Sequence, residues 1–167
     1  MNILRAILTT SAVLGSALAV SADLDAAGLS GVFPGSACQV VSGTRAIRAR
    51  GSIRNASTTA DLVVDCPTLH PNDTSNGQSP LVNLFYYDDS ATRSLSCTTH
   101  AEDMDSTDAD ADSGNSDGID DREYRAILMQ TGDIGGQNHR MAHIRCTIPP
   151  FPAGHEIGIV GYWVSFG

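Results

Sequence analysis

From residue 37 onward, apolar side chains recur at every second position in short runs, and most runs are closed by Gly, Pro, Asn, Asp or Ser. Recurrence every three or four positions, the mark of an amphipathic helix, is scarce. Successive side chains of a strand point to opposite faces, so a period of two predicts strands with one buried and one solvated face. Eight segments carry it: "ACQVVSG" (37–43), "TRAIRARGSIRNAS" (44–57), "ADLVVDCP" (60–67), "PLVNLFYYDD" (80–89), "TRSLSCTTH" (92–100), "EYRAILMQ" (123–130), "HRMAHIRCTIPP" (139–150) and "HEIGIVGYWVSF" (155–166). Many short strands without helices between them predict an all-β fold, an antiparallel two-sheet sandwich of Ig-like or jelly-roll-like type. Two polar interruptions stand out. "PNDTSNGQSP" (71–80) is dense in turn formers and reads as an exposed loop, and its "NDT" and the earlier "NAS" at Asn55 match the glycosylation acceptor pattern. Residues 101–121 read as a long acidic loop insertion.

The first 22 residues break the pattern. "MNILRAILTTSAVLGSALAVSA" sets one Arg before an apolar run and ends in small residues, which predicts a secretory signal peptide cleaved after Ala22 or Ala19. The run is too short for a spanning helix of about 20 apolar residues. Residues 23–167 then form a single domain, exported to the extracellular or periplasmic space, with no transmembrane segment after signal removal. All four cysteines, Cys38, Cys66, Cys97 and Cys146, fall in that part, and an even count in an exported chain predicts two disulfides. Three connectivities satisfy four cysteines. The expected one is Cys38–Cys66 and Cys97–Cys146, because each pair sits in predicted strands that can be neighbours.

Charge narrows the partners. The formal net charge is -9, and every basic side chain is Arg. Nucleic acid is an unsuitable partner, since phosphate binding needs a concentrated basic footprint. The one basic cluster, "RAIRARGSIR", spaces Arg48, Arg50 and Arg54 evenly, so on one continuous strand they share a face. A solvated strand face is the plain reading of that cluster, and a patch for an anion or acidic glycan is the sharper one.

The acidic stretch "TDADADSGNSDGIDD" (107–121) raises calcium, which takes six to eight oxygen ligands and suits closely spaced carboxylates on a glycine-containing turn. An EF-hand does not fit. With Asp108, Asp110 and Asp112 as the first ligands, Ser113 falls where Gly is required and Ile119 where Glu is required. The unit "NSDGIDD" resembles a single thrombospondin type 3-like calcium repeat, with Asn115, Asp117 and Asp121 at its ligand positions and Gly118 at its turn. The candidate calcium set is therefore Asp108, Asp110, Asp112, Asn115, Asp117 and Asp121. A solvated loop of like charges is the alternative.

Catalytic constellations are absent. His139 and His143 share a strand face and lack a third ligand unless His155 or Asp133 supplies it; neither an HExxH nor a G-x-S-x-G motif occurs. Aromatic residues concentrate in "FYYDD" and "GYWVSF". Alternation sets Phe85 and Tyr87 on one face and Tyr86 on the other, with core packing expected for most of them; an exposed Tyr86 or Trp163 would suit stacking on a sugar ring.

Motif order adds a resemblance. "GSIRNAS", "CP", "LFYYDDSATRSLSC", "CTIPP" and "IVGYWVSF" follow one another in an order similar to that of secreted bacterial proteins of the myxobacterial type. The resemblance implies a small disulfide-bonded β-sandwich and brings no activity with it; the acidic stretch is longer here than it implies. Together these readings lead to a secreted, non-catalytic binding or surface-associated β-sandwich module. Its cofactor is none or calcium, its partner an extracellular glycan or protein. The alternative is a small secreted hydrolase or a carbohydrate-binding module whose site the sequence does not mark.

Overall fold

The computed structural model describes residues 30–68, 80–90, 92–103, 109–116, 124–131, 140–151 and 155–166. The expected signal peptide and nearly all of the turn-rich loop, including its "NDT", lie outside them. Eleven strands run through the described residues: β1 Ser30–Pro34, β2 Gln39–Ser42, β3 Ala46–Ala49, β4 Ser52–Asn55, β5 Leu62–Pro67, β6 Pro80–Asp88, β7 Ser96–Asp103, β8 Ala109–Asn115, β9 Tyr124–Gln130, β10 Arg140–Ile148 and β11 Ile157–Phe166.

They form two antiparallel sheets. One orders β3-β4-β11-β6-β9, with β1 also paired to β11; the other orders β2-β5-β10-β7-β8. Within this order β7 pairs β8, β6 pairs β9, β5 pairs β10 and β4 pairs β11. Such nesting is what a long hairpin makes when it is wound around a barrel-like core with its β7–β8 tip innermost in sequence. That is the jelly-roll order, which decides between the two expected sandwich types.

Alternation fills the space between the sheets. Leu62, Val64 and Cys66 from β5, Val82, Leu84 and Tyr86 from β6, and Ile157, Ile159, Tyr162, Val164 and Phe166 from β11 are all buried. Each fully buried aliphatic side chain contributes about 1.5–3 kcal/mol, and a one-residue slip of a strand would turn its whole set to water, so the registers are strongly specified. Both expected disulfides are formed, Cys38–Cys66 and Cys97–Cys146, the latter joining directly opposed residues of β7 and β10.

Several polar groups within the motifs quoted above are structural joints. Asn55 is buried and its Nδ2 donates to the carbonyls of Ala60, Ile148 and Pro149 at 2.9, 2.9 and 3.1 Å, clasping the end of β4 to the end of β10. The "NAS" acceptor reading is thus corrected: the amide that glycosylation would modify is committed to three carbonyls inside the fold. The Tyr162 hydroxyl crosses the sandwich and donates to the Pro67 carbonyl at 2.7 Å. Buried Asp88 accepts from the Ser90 amide and the Ser116 hydroxyl, and Ser116 Oγ accepts from the Leu95 amide, so the ends of β6 and β8 and the approach to β7 meet at one carboxylate.

Two sequence expectations change. The run 44–57 is a hairpin, because Arg50 and Gly51 form a two-residue loop between the paired residues Ala49 and Ser52, both with positive φ (51° and 81°), as a type I′ turn requires. Arg48 pairs with Ile53 and Arg54 with Ile47, so Arg48 and Arg54 lie on opposite faces rather than together. The acidic insertion is also, in part, a strand: Ala101 to Asp103 complete β7, and β8 pairs along it. Its "ADADSGN" alternates after all, with half-buried Asp110, Asp112 and Gly114 on one side and exposed Ala111, Ser113 and Asn115 on the other. A Cβ on Gly114 would stand 2.1 Å from Ile127 Cγ2, so only glycine lets β8 close against β9 there. Low intrinsic β propensity hid this strand, and inward-pointing charge is a known device of edge strands.

Candidate functional site

The outer face of the six-stranded sheet carries the side chains that the core does not use. One cross-strand row runs over four strands: Arg54 of β4 opposes Gly158 of β11, Gly158 opposes Tyr87 of β6, and Tyr87 opposes Tyr124 of β9. At the usual spacing of about 4.8 Å between strands, the row is about 14 Å wide. It floors a cleft of about 500 Å³ whose rim is the Arg50 turn and Ser52 at one end and Glu156 along the side. Gly158 is required by this geometry. A Cβ there would lie 2.5 Å from the Ile53 carbonyl oxygen and 2.6 Å from Arg54 Cγ, so its absence lets the Arg54 stem cross β11. The Arg54 guanidinium then pairs through its Nη1 with the Glu156 carboxylate, while its buried Nε has no hydrogen-bond partner.

Beyond the cleft the same face stays aromatic and apolar. Phe85 opposes Gly161 and Ala126, and the next row is Val32, Trp163, Asn83 and Leu128. Tyr124 is 74% exposed, Leu128 64% and Phe85 40%, whereas isolated sheets facing water usually turn polar residues outward. The Tyr87 and Tyr124 rings lie 6.1 Å apart at 54°. Asn83 Oδ1 is buried among these residues without a hydrogen-bond partner. The expected parity of Phe85, Tyr86 and Tyr87 holds, and the condition for Tyr86 to meet a sugar, exposure, is not fulfilled. Tyr86 is buried with Val82 and Leu84, and Phe85 and Tyr87 face out.

The opposite, five-stranded face differs in chemistry. His100 and His143 oppose each other on β7 and β10 with stacked rings 4.8 Å apart. His143 is thus partnered by His100; His139, Asp133 and His70 lie outside the described residues. Among the described residues no group of three His, Cys, Asp or Glu side chains converges as a metal site. Beside the pair, Arg145 donates from Nε and Nη2 to the two Asp65 oxygens at 2.7 and 2.9 Å. That bidentate bond holds the Asp65 carboxyl below the usual carboxylate range. At the end of the six-stranded sheet, His155 Nδ1 lies 3.0 Å from Asp89 Oδ1 and 3.1 Å from the Asp89 carbonyl, tying the approach to β11 to the end of β6.

Of the candidate calcium ligands, Asp108, Asp117 and Asp121 lie outside the described residues. Asp110, Asp112 and Asn115 are on β8, where strand alternation turns the two aspartates toward β9 and Asn115 away from it. Asp112 is engaged already, accepting the Gln130 amide at 2.8 Å and the Ser113 amide at 2.9 Å.

No protein-family model matches the chain, and no curated protein matches it. Among solved structures, the low-affinity xylan-binding module CBM86 from the xylanolytic gut symbiont Roseburia intestinalis is similar at 13% identity and a TM-score of 0.43, over 84% of this chain and 97% of that one.

Proposed function

We propose that the chain is a non-catalytic binding module that holds a saccharide chain across the outer face of its six-stranded sheet. The observation that carries this reading is the row Arg54, Gly158, Tyr87 and Tyr124 flooring an open cleft. A pyranose presents an apolar C–H face and a belt of hydroxyls. Tyr87 and Tyr124 supply flat apolar surface for the first, and Arg54, Glu156 and Ser52 supply donors and acceptors for the second. Rings pre-positioned on rigid strands lose little freedom on binding. The export signal read from residues 1–22 would deliver the module to where polysaccharides are found.

Affinity electrophoresis of the exported protein against a panel of neutral and acidic polysaccharides tests the reading. Retardation by at least one polymer is expected, with roughly tenfold weaker binding in Tyr124→Ala, whose exposed ring contributes little to folding. The polymer should release no new reducing ends during incubation. Binding unchanged in Tyr124→Ala and Tyr87→Ala would place the saccharide elsewhere and overturn the assignment.

A further inference from the structure

We infer that the cleft prefers an acidic glycan, one whose sugar carboxylates are read by Arg50 and Arg54. The inference rests on the glycan-binding reading and adds the charge of the ligand to it.

Three observations converge on it. Arg50 is the only residue other than glycine with positive φ among the described residues, and it stands at a turn position where Asn or Gly is the usual occupant. Arginine gains nothing there from the backbone, and its side chain is set on the rim of the cleft rather than against the core. Residues held in a sparsely populated conformation cluster at binding sites. Arg54 is laid over Gly158 into the same cleft, and its ion pair with Glu156 engages Nη1 while Nε is left buried without a partner. Nε lies out of a ligand's reach, so it is the Nη end of the guanidinium, set at the cleft, that a sugar carboxylate would meet with charge-assisted bonds. The two arginines against Glu156 leave a net positive cleft on a chain of net charge -9. Charges beyond about 10 Å are screened at ordinary ionic strength, so these local cations decide what the cleft accepts.

The test compares polygalacturonate, glucuronoxylan and alginate, each with its carboxyl-reduced neutral form, by isothermal titration of the exported protein. At least one polyuronate should bind roughly tenfold more tightly than its own reduced form. In Arg50→Gly, which suits the positive φ, and in Arg54→Gln that ratio should fall to within about twofold. Melting curves confirm that both variants are folded, and Arg145→Gln, on the other sheet, should keep the parent ratio. Equal affinity for acidic and reduced forms would overturn the acid preference and leave the glycan reading standing. Failure of every polymer, acidic or neutral, to bind would overturn both.

Discussion

Tyr162 joins the two sheets through a single hydroxyl. Its ring is buried and stacks on Phe33 at 5.1 Å, and its hydroxyl donates to the Pro67 carbonyl of the other sheet at 2.7 Å. Tyr162→Phe should therefore lower stability by about 0.5–1.5 kcal/mol in chemical denaturation, the usual net contribution of one hydrogen bond. Burial also pushes this phenol well above the ordinary tyrosine range. In the unfolded chain it ionises near pH 10, releasing a proton that the native state retains, so stability should fall as pH rises above about 10. The Phe variant should lose that part of the alkaline slope. Asp65 works in the opposite sense. Its carboxyl is held low by Arg145, so its contribution is present above the ordinary carboxylate value and disappears as pH falls through the lowered one. Melting temperatures of the parent and Asp65→Asn should differ at neutral pH and converge in acid. None of these partners was legible beforehand: the sequence shows Asn55 only as an acceptor motif and Asp65 only as one position of a predicted strand, because hydrogen bonds between distant strands leave no local signature.

Strands were legible where alternation is apolar and hidden where it is not. β5, β6, β10 and β11 show buried aliphatic residues at every second position, and their predicted spans match. β8 alternates Ala with Asp and reads as a charged loop, since burial of its Asp side is only partial and its pairing partner, β7, is supplied by the fold. This changes what removing the segment should do. A free acidic loop could be deleted without loss, whereas excision of residues 109–115 strips β7 of its neighbour and removes Ser116's route to Asp88. Such a variant should be recovered mainly as aggregate, with β7 exposed as a new edge. Asp112→Ala separates the two views more gently. Relief of like-charge repulsion would raise stability, but loss of the acceptor for the Gln130 amide should lower it by about 0.5–1.5 kcal/mol. Thermal denaturation at low ionic strength reads the sign.

At the scale of the whole molecule, period-two patterning predicted a sandwich and left its wiring open. Alternation reveals that Phe85 and Tyr87 share a face, but which face is outward follows only from the sheet that covers Tyr86. The cleft needs more still, because Arg54, Gly158, Tyr87 and Tyr124 come from four strands that the jelly-roll winding sets side by side. The two outer faces are thereby distinguished: one is aromatic with a pair of arginines, the other carries the stacked histidines and the Asp65–Arg145 pair. Amide chemical-shift mapping by NMR during titration with the tightest-binding polysaccharide discriminates between them most directly. Shifts should concentrate on β4, β6, β9 and β11 around Arg54, Tyr87, Tyr124 and Gly158. Shifts centred on His100 and His143, with the aromatic face unmoved, would contradict the account.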